Sequence, residues 1–163
     1  MDRDPRTRTG DVPGFETQGT VFSRGLGKLV PNAVAKRAIS VSISTDRDSY
    51  DRGEPVPITV SFTNRLPVAV SIPTPTQRRW GWAVDGHTEA TTERRYLSRT
   101  PAVFPFGAGQ TRRVSIEWNG YIRHVGRRDE SKLPDPGEVE LTAFLATAPA
   151  SKRPTDSTTI TLR

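Results

Sequence analysis

The chain has 163 residues, a formal net charge of +6 and no cysteine. That length suits one domain with a tail and can bury a core without covalent staples. The missing thiols exclude disulfides and thiolate metal sites and fit a reducing compartment. No apolar run approaches a bilayer span, and residues 26–35, interrupted by Lys28 and Pro31, make too poor an apolar stretch for a secretory signal. A cytoplasmic location is therefore expected.

Residues 1–37 are predicted to form a flexible basic N-terminal arm. Pro5, Gly10, Pro13, Gly14, Gly19, Gly25, Gly27 and Pro31 prevent any long regular element there. Val21, Phe22, Leu26, Leu29 and Val30 follow helical spacing and suggest one weak amphipathic turn. Such an arm is either a disordered tail or a segment that folds onto a partner.

From residue 38 to residue 163 strands recur. Ile39, Val41 and Ile43 alternate with Ser40, Ser42 and Ser44, and Val56, Ile58, Val60 and Phe62 form an apolar row at every second position. Period two means one buried face and one wet face. Val68, Val70 and Ile72 predict a short return strand, and Trp80, Trp82 and Val84 predict another that ends at Asp85-Gly86. Asp-Gly favours a two-residue hairpin turn, which places Val84 opposite His87, Trp82 opposite Glu89 and Trp80 opposite Thr91. The returning strand is polar, so at least one indole is expected to be partly exposed beside Arg78 and Arg79, a composition typical of binding hot spots. The competing expectation is that a tryptophan in a middle strand is core. Further strands are expected around Val114, Ile116 and Trp118, around Val139, Leu141, Ala143 and Leu145, and at residues 159–162. About seven short strands without a convincing helix between them predict an all-β, immunoglobulin-like antiparallel β-sandwich.

Several motifs in order carry a family resemblance: YDRGEPV at residues 50–56, FTN at 62–64, WGWAVDG at 80–86, FGAGQTRRVSIEW at 106–118 and PGEVELTA at 136–143. Over residues 39–147 this order resembles the immunoglobulin-like intracellular proteinase inhibitor (BsuPI-type) family. It is also similar to uncharacterised single-domain proteins of halophilic archaea, an origin that the scarcity of lysine among the bases fits. What the resemblance implies is a non-catalytic cytoplasmic binding domain, of which protease inhibition is one use.

An inhibitor needs a rigid, extended loop, and residues 119–134 are the longest irregular insertion. Tyr121, Arg123, His124, Arg127 and Arg128 make it rich in arginine, suited to a trypsin-like cleft. The ordinary alternative is a solvated loop between strands.

The arginine pairs Arg78-Arg79, Arg94-Arg95, Arg112-Arg113 and Arg127-Arg128 recur every fifteen to eighteen residues, about two strands with their turns. They are candidates to gather at one pole, with Lys36-Arg37 and Lys152-Arg153 beside them, where they would attract a polyanion. Against this stands the use of charges to keep strand edges from pairing, and the opposite facing of neighbouring strand residues.

Chemistry of other kinds has little support. His87 and His124 lie in no metal-ligand spacing, and no nucleophile elbow, phosphate-binding glycine loop or zinc-protease motif is present. Asp46, Asp48, Asp51 and Glu54 lack the glycine and the terminal glutamate of a calcium loop. The sequence thus predicts a non-enzymatic protein-binding module with no cofactor and no metal. Its candidate partner-binding residues are Arg78, Arg79, Trp82, Tyr121, Arg123, Arg127 and Arg128, in the hairpin of residues 78–93 or the loop of residues 119–134. The alternatives are an intracellular protease inhibitor and a nucleic-acid- or ribosome-associated basic protein, for which Arg94, Arg95, Arg112 and Arg113 are candidate polyanion-binding residues.

Overall fold

The computed structural model describes residues 30–89, 99–124 and 130–163. Most of the N-terminal arm, with its expected helical turn, lies outside these residues. A short helix, Asn32–Ala38, leads into β1 (Ile39–Thr45), β2 (Ser49–Tyr50), β3 (Val56–Asn64), β4 (Val70–Thr74), β5 (Trp80–Val84) and β6 (His87–Glu89). There follow β7 (Ala102–Phe106), β8 (Thr111–Trp118), β9 (Ile122–His124), β10 (Glu130–Lys132), β11 (Gly137–Leu145) and β12 (Thr155–Leu162).

These strands form an immunoglobulin-like β-sandwich. One sheet has the order β1-β3-β8 and the other β2-β12-β11-β5-β6, while β4 pairs with β7 and β9 with β10. All pairings are antiparallel except that of β2 with β12. The alternation read from the sequence is the cause of the two layers. Val56, Ile58, Val60 and Phe62 of β3 and Val139, Leu141, Ala143 and Leu145 of β11 turn inward and meet between the sheets. Each fully buried side chain of this kind is worth roughly 1.5–3 kcal/mol over its exposed form.

The Asp85-Gly86 turn forms as its composition dictates. Asp85 and Gly86 have φ of 46° and 77°, and Val84 pairs with His87 and Trp82 with Glu89. The position expected opposite Trp80 lies outside the described residues. The packed unit begins before residue 38, because the helix Asn32–Ala38 buries Ala35 and Ala38. Residues 119–134 are not irregular throughout: Ile122, Arg123 and His124 pair with Lys132, Ser131 and Glu130. Among the described residues no helix is long and apolar enough to cross a membrane.

Candidate functional site

The strand register decides which basic pairs meet. Ile39 pairs with Asn64, Thr63 with Thr111, Leu145 with Trp80, and Phe144 with Thr155. These pairings bring the starts of β1, β5, β8 and β12 to one end of the sandwich. Lys36-Arg37, Arg78-Arg79 and Lys152-Arg153 immediately precede three of those starts, and Arg112-Arg113 lies at the fourth. Arg65 follows β3 at the same end. Asp156, near the start of β12, is an acid in this region, and its Oδ2 accepts the Ile43 N–H at 3.0 Å. Asp46, Asp48, Asp51, Glu54, Glu117, Asp135 and Glu138 lie towards the other end, where Arg47 forms ion pairs with Asp46 and Glu54. The described part of the molecule therefore has a cationic pole opposite a carboxylate-rich end.

Among the described residues, two hollows open at the pole. The first, about 470 Å³, is lined by Lys36, Arg37, Lys152 and Arg153 with Ala33, Ile39, Ala148, Pro149 and Pro154. Lys36 Nζ donates to the Ala148 carbonyl at 2.7 Å, which fixes the ammonium without neutralising it. Arg153 lies over the ring of Phe144, its guanidinium carbon 3.4 Å from the centroid. Burial, and then the charge of Arg78, hold its pKa below the ordinary arginine value.

The second hollow, about 550 Å³, is lined by Gln77, Arg79, Trp80, Phe104, Arg112, Arg113 and Val114. Arg112 reaches it because residues of β8 alternate between faces. It shares the inner face with Val114, Ile116 and Trp118 and pairs with Phe62 of β3. Its guanidinium carbon lies 5.2 Å from the Phe104 centroid and 5.6 Å from that of Phe106. Its Nε is buried without a hydrogen-bond partner among the described residues. Phe62 ties this floor together, 5.7 Å from Trp80 and 5.9 Å from Phe104 between ring centroids. An arginine held against aromatic faces can receive a carboxylate or a phosphate on the part of its guanidinium that stays exposed.

The candidate residues thus separate. Arg79, Arg112 and Arg113 line one hollow together, while Arg78 acts on Arg153. Trp82 is not at the surface: it is 2 % exposed and belongs to the core. The inward face of β5 holds Trp80, Trp82 and Val84, and it is Trp80, at the strand's open end, that stays half-buried beside Arg79. Tyr121 is 39 % exposed, but it follows the far end of β8, where its carbonyl accepts the Trp118 Nε1–H at 2.9 Å. Arg112 and Trp118 stand six positions apart on β8, about 20 Å at the usual rise, so Tyr121 is not part of the pole. Arg123 lies in β9, whereas Arg94, Arg95, Arg127 and Arg128 lie outside the described residues. Sequence reasoning did not single out Trp80, Gln77 or Phe104 as site residues. For Phe104 the signal was faint, since β7 reads Ala-Val-Phe-Pro-Phe with no polar alternation.

Residues 27–163 match DUF7974, a family of unknown function, and the chain belongs to that family. No curated protein matches the sequence. Among solved structures, the CARDB domain of the PF1109 protein from Pyrococcus furiosus, in complex with di-metal ions, is similar with a TM-score of 0.46 and 9% identity, covering 76% of this chain and 91% of that one. A β-glucosidase from Listeria innocua gives a TM-score of 0.45 at 12% identity, over 76% of this chain and 16% of that one. The alkylpurine DNA glycosylase AlkC of Pseudomonas fluorescens gives 0.45 at 16% identity, over 77% and 30% of the two chains.

Proposed function

We propose that this DUF7974 protein is a non-enzymatic binding module whose working surface is the cationic pole, and whose partner is a protein presenting an acidic, extended segment. The observation that carries this reading is the inward-facing Arg112, stacked on Phe104 and Phe106, beside Arg79 and the half-buried indole of Trp80. Arginine and tryptophan are enriched among the few residues that carry most of the binding energy of protein interfaces. Lys36, Arg37, Lys152 and Arg153 extend the same charge around the pole. A cysteine-free binding module fits the cytoplasm.

A second reading rests on the same charge: a nucleic acid would meet the pole through its phosphates. The two differ in how affinity is distributed. An acidic peptide anchored at the Arg112 hollow depends on a few side chains, whereas phosphate binding spreads over many and falls steeply with salt.

The test is a titration of the purified protein with a labelled peptide of alternating glutamate and phenylalanine, and in parallel with single-stranded and duplex DNA, over a series of salt concentrations. Peptide binding lost in Arg79→Glu and retained in Arg123→Glu supports the protein-binding reading. Tight DNA binding with a steep salt slope replaces it with the nucleic-acid reading. Binding of neither probe rejects the cationic pole as a working surface.

A further inference from the structure

Strand β8 ends its sheet, with β3 as its one paired neighbour among the described residues. The edge strand at the other side of the same sheet, β1, is backed by β12 and β11. Strand β8 is long, running from Thr111 to Trp118, and its outer edge offers backbone donors and acceptors to a further strand. Apolar surface is also left along it. Val114 and Ile116 face inward but are only half-buried, although the β3 residues beside them, Val60 and Ile58, are enclosed.

We propose that this edge is covered by a second copy of the same chain, with β8 pairing antiparallel to β8 about a two-fold axis at Ser115. The charge pattern selects both the occupant and the register. Arg113 and Glu117 share the outer face of β8 and stand two residues to either side of Ser115. An axis at Ser115 sets Arg113 opposite the partner's Glu117, and Glu117 opposite the partner's Arg113. On the inner face Val114 then meets the partner's Ile116, and Ser115 meets itself. An axis at Arg113 or at Glu117 would face like charges, and a one-residue slip would oppose inner to outer side chains, against the pleat.

The wider charge distribution favours the same arrangement. Strand β8 runs from the cationic pole at Arg112 towards the carboxylate-rich end, so antiparallel pairing lays the basic end of each copy beside the acidic end of the other. The contact shares Arg113 and Val114 with the hollow around Arg112, and it leaves the hollow around Lys36 and Lys152 open, at the far edge of the sheet.

The experiment is the mass in solution of the full chain, by light scattering after gel filtration at tens of micromolar. The wild type is expected at twice the monomer mass. Arg113→Glu and Glu117→Arg each convert both ion pairs to repulsive pairs and are expected to weaken the dimer roughly tenfold or more, while the double exchange restores it. Both side chains are exposed, and circular dichroism verifies that each variant is folded. Because the chain has no cysteine, Ser115→Cys supplies a single thiol that lies opposite its own copy, and mild oxidation should give a covalent dimer. A monomeric wild type, or a dimer indifferent to both reversals that Ser115→Cys does not cross-link, overturns the proposal.

Discussion

The guanidinium carbon of Arg153 lies 3.4 Å from the centre of the Phe144 ring, and the tip of that same ring lies against Gly81, its register partner on β5. Phe144 is the large apolar residue on the outer face of β11, and it is enclosed there because a cation covers it and a glycine makes room for it.

Gly81→Ala is expected to be destabilising. A Cβ at position 81 would sit 2.6 Å from Phe144 Cζ and 2.9 Å from its Cε2, so the ring must move, and Arg153 holds it in place. Overpacking of this kind costs about 1–3 kcal/mol. Urea unfolding of Gly81→Ala and of Gly81→Ala with Phe144→Leu measures it, the second variant recovering part of the loss because the shorter side chain clears the new methyl.

Arg112→Leu is expected to separate stability from binding. The change removes a buried Nε that has no partner among the described residues and leaves apolar atoms against Phe104 and Phe106. An unsatisfied buried donor costs about 1–3 kcal/mol, so the variant should melt at or above the wild-type temperature. The same variant should bind the acidic peptide at least tenfold more weakly, a pair of results obtainable from one thermal scan and one titration. Loss of stability without loss of affinity would assign Arg112 a purely structural role.

Asn64 closes the start of the β4–β7 region and should tolerate no substitution. It is wholly buried, donating from Nδ2 to the carbonyls of Val68 and Gly107 at 2.8 Å each and accepting the Leu66 N–H at 3.0 Å. Asn64→Ala leaves three backbone groups unfilled and is expected to cost about 3 kcal/mol in denaturant unfolding. Asn64→Asp should cost at least as much at neutral pH, because a carboxylate cannot donate to the two carbonyls.

The turn between β1 and β3 predicts how stability changes with pH. Tyr50 is buried, donates its hydroxyl proton to Asp46 and accepts the Arg47 N–H; burial first, then the bond to Asp46, raises its pKa. A raised folded-state value means that its contribution is full below the unfolded tyrosine pKa of about 10 and is lost as pH rises through the folded value. Glu54 behaves in the opposite sense: the hydrogen bond from Arg47, then that from the Asp51 N–H, lowers its pKa. Its contribution is present above the ordinary glutamate value and is lost as pH falls through the depressed one. Melting temperature against pH should therefore lose part of its alkaline decline in Tyr50→Phe, and part of its acid decline in Glu54→Gln.

The sandwich was legible wherever one face of a strand is wet. The Ile39, Val41, Ile43 row and the Val56 to Phe62 row announce their faces by alternating with polar residues, and Asp85-Gly86 announces its turn by backbone conformation. What escaped has physical causes too. Strand β2 is two residues long and β7 carries a proline and no polar alternation, so neither has a period to read. Trp80 and Trp82 share a face, and only the length of the neighbouring strand decides which one the sandwich covers. The gathering of Lys36, Arg79, Arg112 and Lys152 follows from register across four ladders, information that is non-local. The spacing of the arginine pairs could suggest a pole, but parity sent Arg78 and Arg79 to different neighbours.

Segregating bases and acids at opposite ends of the strands gives the described part of the molecule a permanent electric moment along the strand axis. In the field of a charged partner such a body feels a torque before it makes contact, so productive orientations are over-represented among encounters. The gain belongs to association rates and fades as the screening length shrinks to about 8 Å at physiological salt and about 3 Å at 1 M. At high salt the same arrangement acts only at touching distance, and what holds a partner at the pole is then the packing around Trp80 and Arg112.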